Sequence, residues 1–178
     1  FRELFRRLGP DAALVLDNCH AAATDSMDLL LREATSELPA GVCIVLLSRM
    51  EPLYVPKGSA QKRPAIVMAH GYSLPKEAYL NFFAEPLAAA GFVVLVFDYR
   101  FLGASEGEPR QQVIPLAQIE DYRNAITWLS LQKEVDANRI GAWGISFSGG
   151  HVLHLGAYDK RIKAVASLLP LIDGLHGY

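Results

Sequence analysis

The chain has 178 residues, of which 51% are hydrophobic and 20% are charged, and its formal net charge at pH 7 is −2. This composition is typical of a folded globular protein and excludes an intrinsically disordered chain. The near-neutral charge gives no electrostatic reason to bind nucleic acid or an anionic membrane, so we expect neither partner. No apolar run reaches the roughly 18 residues that would span a bilayer. No Cys/His spacing matches a zinc site, so no metal is predicted.

The first 51 residues predict a βαβ-like unit. Two apolar runs, 12–16 and 42–47, have the length of buried strands, and residues 24–38 between them carry apolar positions at helical spacing. A right-handed crossover with parallel strands is therefore expected. Cys19 and Cys43 are the only cysteines, and their apolar surroundings favour reduced thiols and a cytoplasmic location. A disulfide between them stays open. No export leader is visible at the start of the chain.

From residue 52 the pattern changes, which predicts a domain boundary there. A short, Pro-flanked edge strand is expected at 53–55. Beyond residue 64, apolar strands alternate with amphipathic helices in the order β-α-β-α-β-α-β. This alternation predicts an α/β fold, with a mostly parallel sheet covered by helices on both faces.

Two of these helices have predicted core stripes, and one pair of charges is expected to order a loop. The helix at about 76–90 is expected to turn Lys76 and Glu77 to water and to bury Tyr79, Phe82, Phe83 and Leu87. The next helix has a core stripe formed by Ile119, Tyr122, Ile126 and Leu129. Asp98 and Arg100, at the end of a strand, are expected to form an ion pair.

The sequence Gly144-Ile145-Ser146-Phe147-Ser148 follows an apolar strand and opens into a helix. It is a near match to the G-x-S-x-G nucleophile elbow, in which small flanking residues allow a tight turn that exposes the serine hydroxyl. The first turn of the helix supplies free N–H groups and a positive dipole end, which stabilise an oxyanion. The alternative is a Ser- and Gly-rich turn with no chemistry.

Together with His70-Gly71, Asp98-Tyr99-Arg100 and the loop Gly103–Gly107, this motif makes residues 53–171 resemble the α/β-hydrolase superfamily. Within it, the dienelactone-hydrolase-like and acyl-peptidase-like serine esterases are the most similar. The resemblance implies that Ser146 attacks an ester or related acyl bond and forms an acyl-enzyme. It also implies that the backbone N–H groups of Tyr72 and Phe147 form the oxyanion hole.

The resemblance further implies which residues support the site and which face the substrate. Loop support is expected from His70, Gly71, Gly144 and Ser148. The substrate pocket is expected to be lined by Leu74, Phe101 and Leu102, which favours a neutral, small-molecule acyl substrate. No cofactor is implied.

The acid and the base are the uncertain part of the predicted triad. In this fold both follow the nucleophile along the chain, and the candidates that remain are Asp173 and His176. His176 lies between glycines, so we expect the usual acid and histidine to lie beyond residue 178 and residues 1–178 to turn over poorly. His70 is expected to fix its loop, and the pair His151 and His154 to be structural and not a metal site.

Residues 1–51 resemble a different family, the LuxR-type regulator ATPases, in which a strand-end aspartate helps to hold Mg²⁺. The corresponding residue is Asp17, but no phosphate-binding G-x-x-x-x-G-K-[ST] motif is present in the chain. Asp17 is therefore predicted to be a strand-end or turn residue and not a metal ligand, and residues 1–51 are a candidate fusion. An alternative function follows, a non-catalytic regulatory or interaction module. The oligomeric state is not predicted.

Overall fold

A computed structural model describes residues 13–17, 43–47, 53–56 and 61–173, and it divides into two units, 1–50 and 51–178. In the first unit, β1 (Ala13–Asp17) and β2 (Cys43–Leu47) pair in parallel, with Ala13 opposite Cys43. The two predicted parallel strands are therefore confirmed. The helix predicted between them lies outside the described residues.

The described residues of the second unit form a five-stranded sheet and three helices. The strands are β3 (Leu53–Tyr54), β4 (Arg63–Ala69), β5 (Val93–Phe97), β6 (Val135–Ile145) and β7 (Ile162–Leu168). The helices are α1 (Asn81–Ala89), α2 (Pro115–Ser130) and α3 (Phe147–Tyr158). From β4 onward the predicted order of elements is confirmed.

The strand order is β3-β5-β4-β6-β7, and only β3 is antiparallel to its neighbour. The chain moves from β4 outward to β5 and then returns to the other side of β4 for β6. The strand order therefore reverses between β4 and β6. In open α/β sheets, ligands bind at the carboxyl ends of the strands at such a switch point.

Both faces of this sheet are covered at the central strands β4 and β5, as their continuous apolar runs predict, whereas most side chains of the edge strand β7 are exposed. On one face, Met68, Val94 and Trp143 pack with Leu80 and Ala84 from α1 and the turn before it. Alternate residues point to the opposite face, where Phe97 meets the ring of Tyr122 on α2 at 5.0 Å between centroids. Helices α2 and α3 contact each other. The α/β fold class is thus confirmed, and none of the described helices is long and apolar enough to cross a membrane.

The first predicted helix is wrong in its start and in part of its buried face. Residues 76–80 form turns, and Tyr79 adopts a left-handed φ of 67° that an α-helix cannot contain. The helix therefore begins at Asn81, and its register places Ala84 in the core. Tyr79 is 72% exposed and Phe82 is 66% exposed, because the turn rotates them out of the predicted stripe.

The stripe predicted on α2 is confirmed in its main part, because Tyr122, Ile126 and Leu129 are all fully buried. Two polar side chains, Gln118 on α2 and His151 on α3, are also buried, and His151 Nε2–H donates to Gln118 Oε1 at 2.9 Å. Burial, followed by the effect of His154, lowers the pKa of His151 to about 4.

This depressed pKa predicts acid-sensitive stability. The unfolded chain binds a proton at His151 near pH 6.5, whereas the folded chain resists protonation until about pH 4. Stability is therefore lost as the pH falls through this window, by about 2 kcal/mol between about pH 6.5 and 4.5. Urea unfolding followed by tryptophan fluorescence measures this in the second unit alone, because both tryptophans, Trp128 and Trp143, lie there.

His151→Gln is the matched control, since it keeps a polar side chain and removes the titration. Between these two pH values, we expect the free energy of unfolding of His151→Gln to fall by about 2 kcal/mol less than that of the wild type. Parallel pH profiles for the two proteins would contradict the prediction.

Candidate active site

The carboxyl ends of β4 and β6 meet at the switch point, and the predicted site residues follow these two strands. His70-Gly71-Tyr72 leaves β4, and Ser146 leaves β6. The last pair between the two strands is Ala69 with Gly144. Because both strands run in the same direction, the two segments emerge side by side at one edge of the sheet.

Ser146 lies on the turn between β6 and α3 and is exposed to solvent. Its backbone has φ 58° and ψ −115°, a conformation that is rare for a residue with a side chain. Two residues earlier, Gly144 is required, because a Cβ there would lie 2.3 Å from the carbonyl oxygen of Ser148. The local geometry is therefore that of a nucleophile elbow.

The main chain of Ser146 is held by the last residue of β7 and by the segment that follows it. Its N–H donates to the carbonyl of Leu168 at 2.8 Å, and its carbonyl accepts from the N–H of Leu171 at 2.9 Å. The carbonyl also accepts from Gly150 in the first turn of α3, at 3.3 Å. These bonds hold the strained turn in place and leave its side chain exposed.

Gly71 brings the β4 loop against the serine. A Cβ at Gly71 would lie 3.0 Å from the carbonyl oxygen of Ile145, 3.2 Å from the Ser146 Cβ and 3.7 Å from its Oγ. Next to this contact, the rings of Tyr72 and Phe147 meet edge to face, with centroids 5.6 Å apart. The structure thus brings together the serine and the two residues predicted to supply the oxyanion hole.

The backbone N–H groups of Tyr72 and Phe147 are alike in their hydrogen bonding. Among the described residues, neither N–H donates to another backbone group in a turn, loop or cap. For Phe147 the reason is its place as the first residue of α3, where an amide has no partner within the helix. Their role in binding an oxyanion stays a prediction.

His70 is bonded at both ring nitrogens. Its Nδ1 accepts the N–H of Gly71 at 2.7 Å, so its Nε2 carries the proton and donates to the carbonyl of Ala78 at 2.7 Å. The ring therefore braces the loop between β4 and α1, and this geometry leaves no nitrogen free to accept a proton from Ser146.

Asp98 and Arg100 do not pair with each other, so the predicted ion pair is wrong. Asp98 accepts the Nζ of Lys76 at 2.8 Å and its main-chain N–H at 2.6 Å, whereas the Arg100 guanidinium binds Asp121 at 2.7 Å. Lys76 was expected to face water, yet its side chain is only 11% exposed. Asp98 also accepts the N–H of Ala104, so it ties together the loops after β4 and β5.

The predicted pocket residues are placed differently from one another. Leu74 is exposed and Phe101 is partly buried, so both are open to a substrate to some degree. Leu102 is 2% exposed and belongs to the core. Its assignment to the pocket is therefore corrected, because its turn points the side chain inward, away from solvent.

No histidine among the described residues is placed as a general base. His70 and His151 are bonded as given above, and His154 lies two turns along α3, exposed and against the ring of Tyr158. Asp173 is exposed and lies two residues beyond Leu171, which contacts Ser146. His176 lies outside the described residues, so the Asp173–His176 pair stays a prediction. Within the described ranges, no three His, Cys, Asp or Glu side chains are grouped to hold a metal ion.

The roles of Ser148 and Tyr122 are not apparent from the sequence. Ser148 was expected only to be small, and Tyr122 only to fill the core, but the hydroxyls of both bond to the strand ends beside Ser146. The one signal in the sequence is that a buried tyrosine needs a partner for its hydroxyl.

Comparisons with known proteins agree with this geometry. The quorum-quenching protein AidA of Acinetobacter baumannii (strain MDR-ZJ06) is 47% identical over 111 residues, which are 62% of this chain and 36% of AidA. The thiohydrolase aneE of Aspergillus aculeatus is 46% identical over 110 residues, 62% of this chain and 35% of that protein. The crystal structure of the α/β-hydrolase GrgF from Penicillium sp. sh18 superposes with a TM-score of 0.64 at 36% identity, covering 68% of this chain and 41% of GrgF.

The chain thus spans between a third and a half of the length of the relatives it matches. A wider match concerns the whole second unit, since the sequence profile of the X-Pro dipeptidyl-peptidase (S15) family covers residues 51–178. With an α/β-hydrolase fold and this match over more than half of its length, the chain belongs to the X-Pro dipeptidyl-peptidase (S15) family of hydrolases.

Proposed function

We propose that the protein is a serine hydrolase that cleaves an ester or thioester through an acyl-enzyme on Ser146. The observation that carries the proposal is the exposed hydroxyl of Ser146 on a strained strand-to-helix turn at the switch point of the sheet. Gly144 permits the tight turn, and the hydrogen bonds of the Ser146 main chain hold it, so the Ser146 side chain stays exposed to solvent.

In the proposed reaction, Ser146 Oγ attacks the acyl carbon and its proton passes to a general base. The carbonyl oxygen becomes an oxyanion, which the N–H groups of Tyr72 and Phe147 stabilise together with the positive end of α3. Collapse of the tetrahedral intermediate expels the alcohol or thiol, which takes up a proton, and leaves the acyl group on Ser146. Water then releases the acid by the reverse sequence.

This function is favoured over a non-catalytic interaction module by the strain at Ser146. A left-handed serine costs of the order of 1–3 kcal/mol, and such strain tends to persist where it serves a site. The names of the relatives support the same class, since one is a thiohydrolase and another is a quorum-quenching protein. The LuxR-type resemblance of residues 1–51 and the cytoplasmic location stay predictions.

The proposed substrate carries a neutral acyl group. Tyr72 and Phe147 supply aromatic surface beside Ser146, and Leu74 is exposed in the same loop as Tyr72. Lys76, two residues further along this loop, is already neutralised by Asp98 at 2.8 Å. A charged acyl group would lose hydration against these side chains without gaining a partner.

The nucleophile is tested by covalent labelling. We expect a fluorophosphonate probe to label the protein expressed from its complete gene at Ser146, as located by mass spectrometry, because the probe mimics the tetrahedral intermediate. Ser146→Ala should abolish the labelling and lower kcat on a nitrophenyl ester at least about 10³-fold. For residues 1–178 alone, we expect slow labelling and no measurable multiple turnover, because none of the described histidines can act as the base.

Ser73→Ala is the matched control, because Ser73 is an exposed serine in the adjoining loop. It should label at the wild-type rate. If no label appears at Ser146 in the complete protein, or if Ser146→Ala retains full turnover, the proposed nucleophile is wrong.

The substrate class is tested with matched esters. We expect kcat/KM for butyryl and hexanoyl nitrophenyl esters and their thioester counterparts to exceed that for a succinyl monoester by about tenfold or more, since a buried, unpaired carboxylate is costly. Equal or higher rates with the anionic ester would contradict a neutral acyl site and leave the nucleophile assignment unaffected.

A further inference from the structure

Two buried hydroxyls bridge the same pair of strand ends next to the nucleophile. The Tyr122 hydroxyl accepts the N–H of Ala69 at 3.1 Å and donates to the carbonyl of Trp143 at 2.9 Å. The Ser148 hydroxyl accepts the N–H of Ile145 at 2.8 Å, and its own proton faces two carbonyls, that of Ala69 at 2.9 Å and that of Ile145 at 3.0 Å. Both side chains are fully buried.

In a regular parallel sheet, these four backbone groups would hydrogen-bond directly to each other around the last residue pair of β4 and β6. Ala69 stands opposite Gly144, so the ladder would relate Ala69 N–H to the carbonyl of Trp143, and the Ala69 carbonyl to Ile145 N–H. The Tyr122 hydroxyl bridges the first of these two donor–acceptor pairs, and the Ser148 hydroxyl bridges the second. Ala69 is thereby held at its N–H from α2 and at its carbonyl from α3, and the two strands are fixed to each other at the point where they separate.

The positions that follow these bridges carry the proposed chemistry. Ala69 is followed by His70-Gly71-Tyr72, and Ile145 is followed by Ser146-Phe147. One predicted oxyanion donor, Tyr72 N–H, therefore lies three residues beyond one bridge, and the other, Phe147 N–H, lies two residues beyond the second. The distance between β4 and β6 at this level sets the distance between the two donors.

We propose that Tyr122 and Ser148 are positioning residues that fix the spacing of the oxyanion hole. The inference rests on the proposed hydrolase function. Neither hydroxyl reaches the substrate, since both are buried; each acts through the backbone that it holds. A serine two residues after the nucleophile, where the usual motif has glycine, is thus used for its hydrogen bonds and not merely accepted for its small size.

The variants Tyr122→Phe and Ser148→Ala each remove one hydroxyl at nearly unchanged volume, and Tyr54→Phe is the matched control. Tyr54 lies on β3 at the edge of the sheet, where it packs against the core that contains Met68 and Trp143, away from the strand ends that the two hydroxyls bridge. All variants are made in the protein expressed from its complete gene, and circular dichroism with thermal unfolding verifies that each is folded.

Misplacement of an oxyanion donor acts on the transition state and spares the ground state. We therefore expect kcat to fall about 10- to 100-fold in Tyr122→Phe and Ser148→Ala, with KM changed less than about threefold. Affinity for a trifluoromethyl ketone, which forms an oxyanion adduct with serine, should fall in proportion to kcat/KM, whereas affinity for the carboxylic acid product should not change. Tyr54→Phe should match the wild type in all of these measurements.

Amide hydrogen exchange tests the bridges independently of activity. Exchange at Ala69 should be faster in Tyr122→Phe, and exchange at Ile145 should be faster in Ser148→Ala. Wild-type kcat and inhibitor affinity in folded Tyr122→Phe and Ser148→Ala would overturn the positioning role while the labelling of Ser146 still stands. Loss of kcat without a matching loss of trifluoromethyl ketone affinity would overturn it as well. Absence of Ser146 labelling in the wild type would instead overturn the proposed function on which the role rests.

Discussion

The left-handed backbone at Ser146 is the constraint on which the rest of the site depends. A residue with a side chain does not adopt φ 58° and ψ −115° without support. The support here comes from Leu168 at the end of β7, Leu171 in the segment after it, Gly150 in α3, and the close approach that Gly144 permits. These groups come from different parts of the chain, so the turn is set by the assembled fold.

The sheet topology explains why this turn can meet a second loop. Because β5 and β6 lie on opposite sides of β4, the chain leaves a gap at the carboxyl ends of β4 and β6. The loop after β4 enters that gap and reaches Ser146 at Gly71, where a Cβ would lie tightly against the carbonyl of Ile145 and the Cβ of Ser146, at 3.0 and 3.2 Å. His70 then braces the loop from within, since both of its ring nitrogens are bonded.

Polar side chains under the site do structural work that an apolar core could not do. Asp98 joins Lys76 to Ala104, while the hydroxyls of Tyr122 and Ser148 join the ends of β4 and β6. Gln118 accepts a hydrogen bond from His151. Buried polar groups fix geometry because each has few satisfactory arrangements and a high cost when left unpaired. The apolar core keeps the layers together, while these groups determine where the strand ends lie.

The sequence by itself determined the order of the strands and helices beyond residue 64, the parallel sheet and the placement of Ser146 on a strand-to-helix turn. Those features follow from local rules, since apolar runs, helical spacing and small residues at fixed offsets act within a few residues of one another. Only the tertiary structure decided the start of α1 at Asn81, the pairing of Asp98 with Lys76, the burial of Leu102 and the bonds of Tyr122 and Ser148. The physical reason is distance along the chain: the Ser148 hydroxyl meets the carbonyl of Ala69 from 79 residues away, and no periodicity in a local window encodes which distant groups will become neighbours.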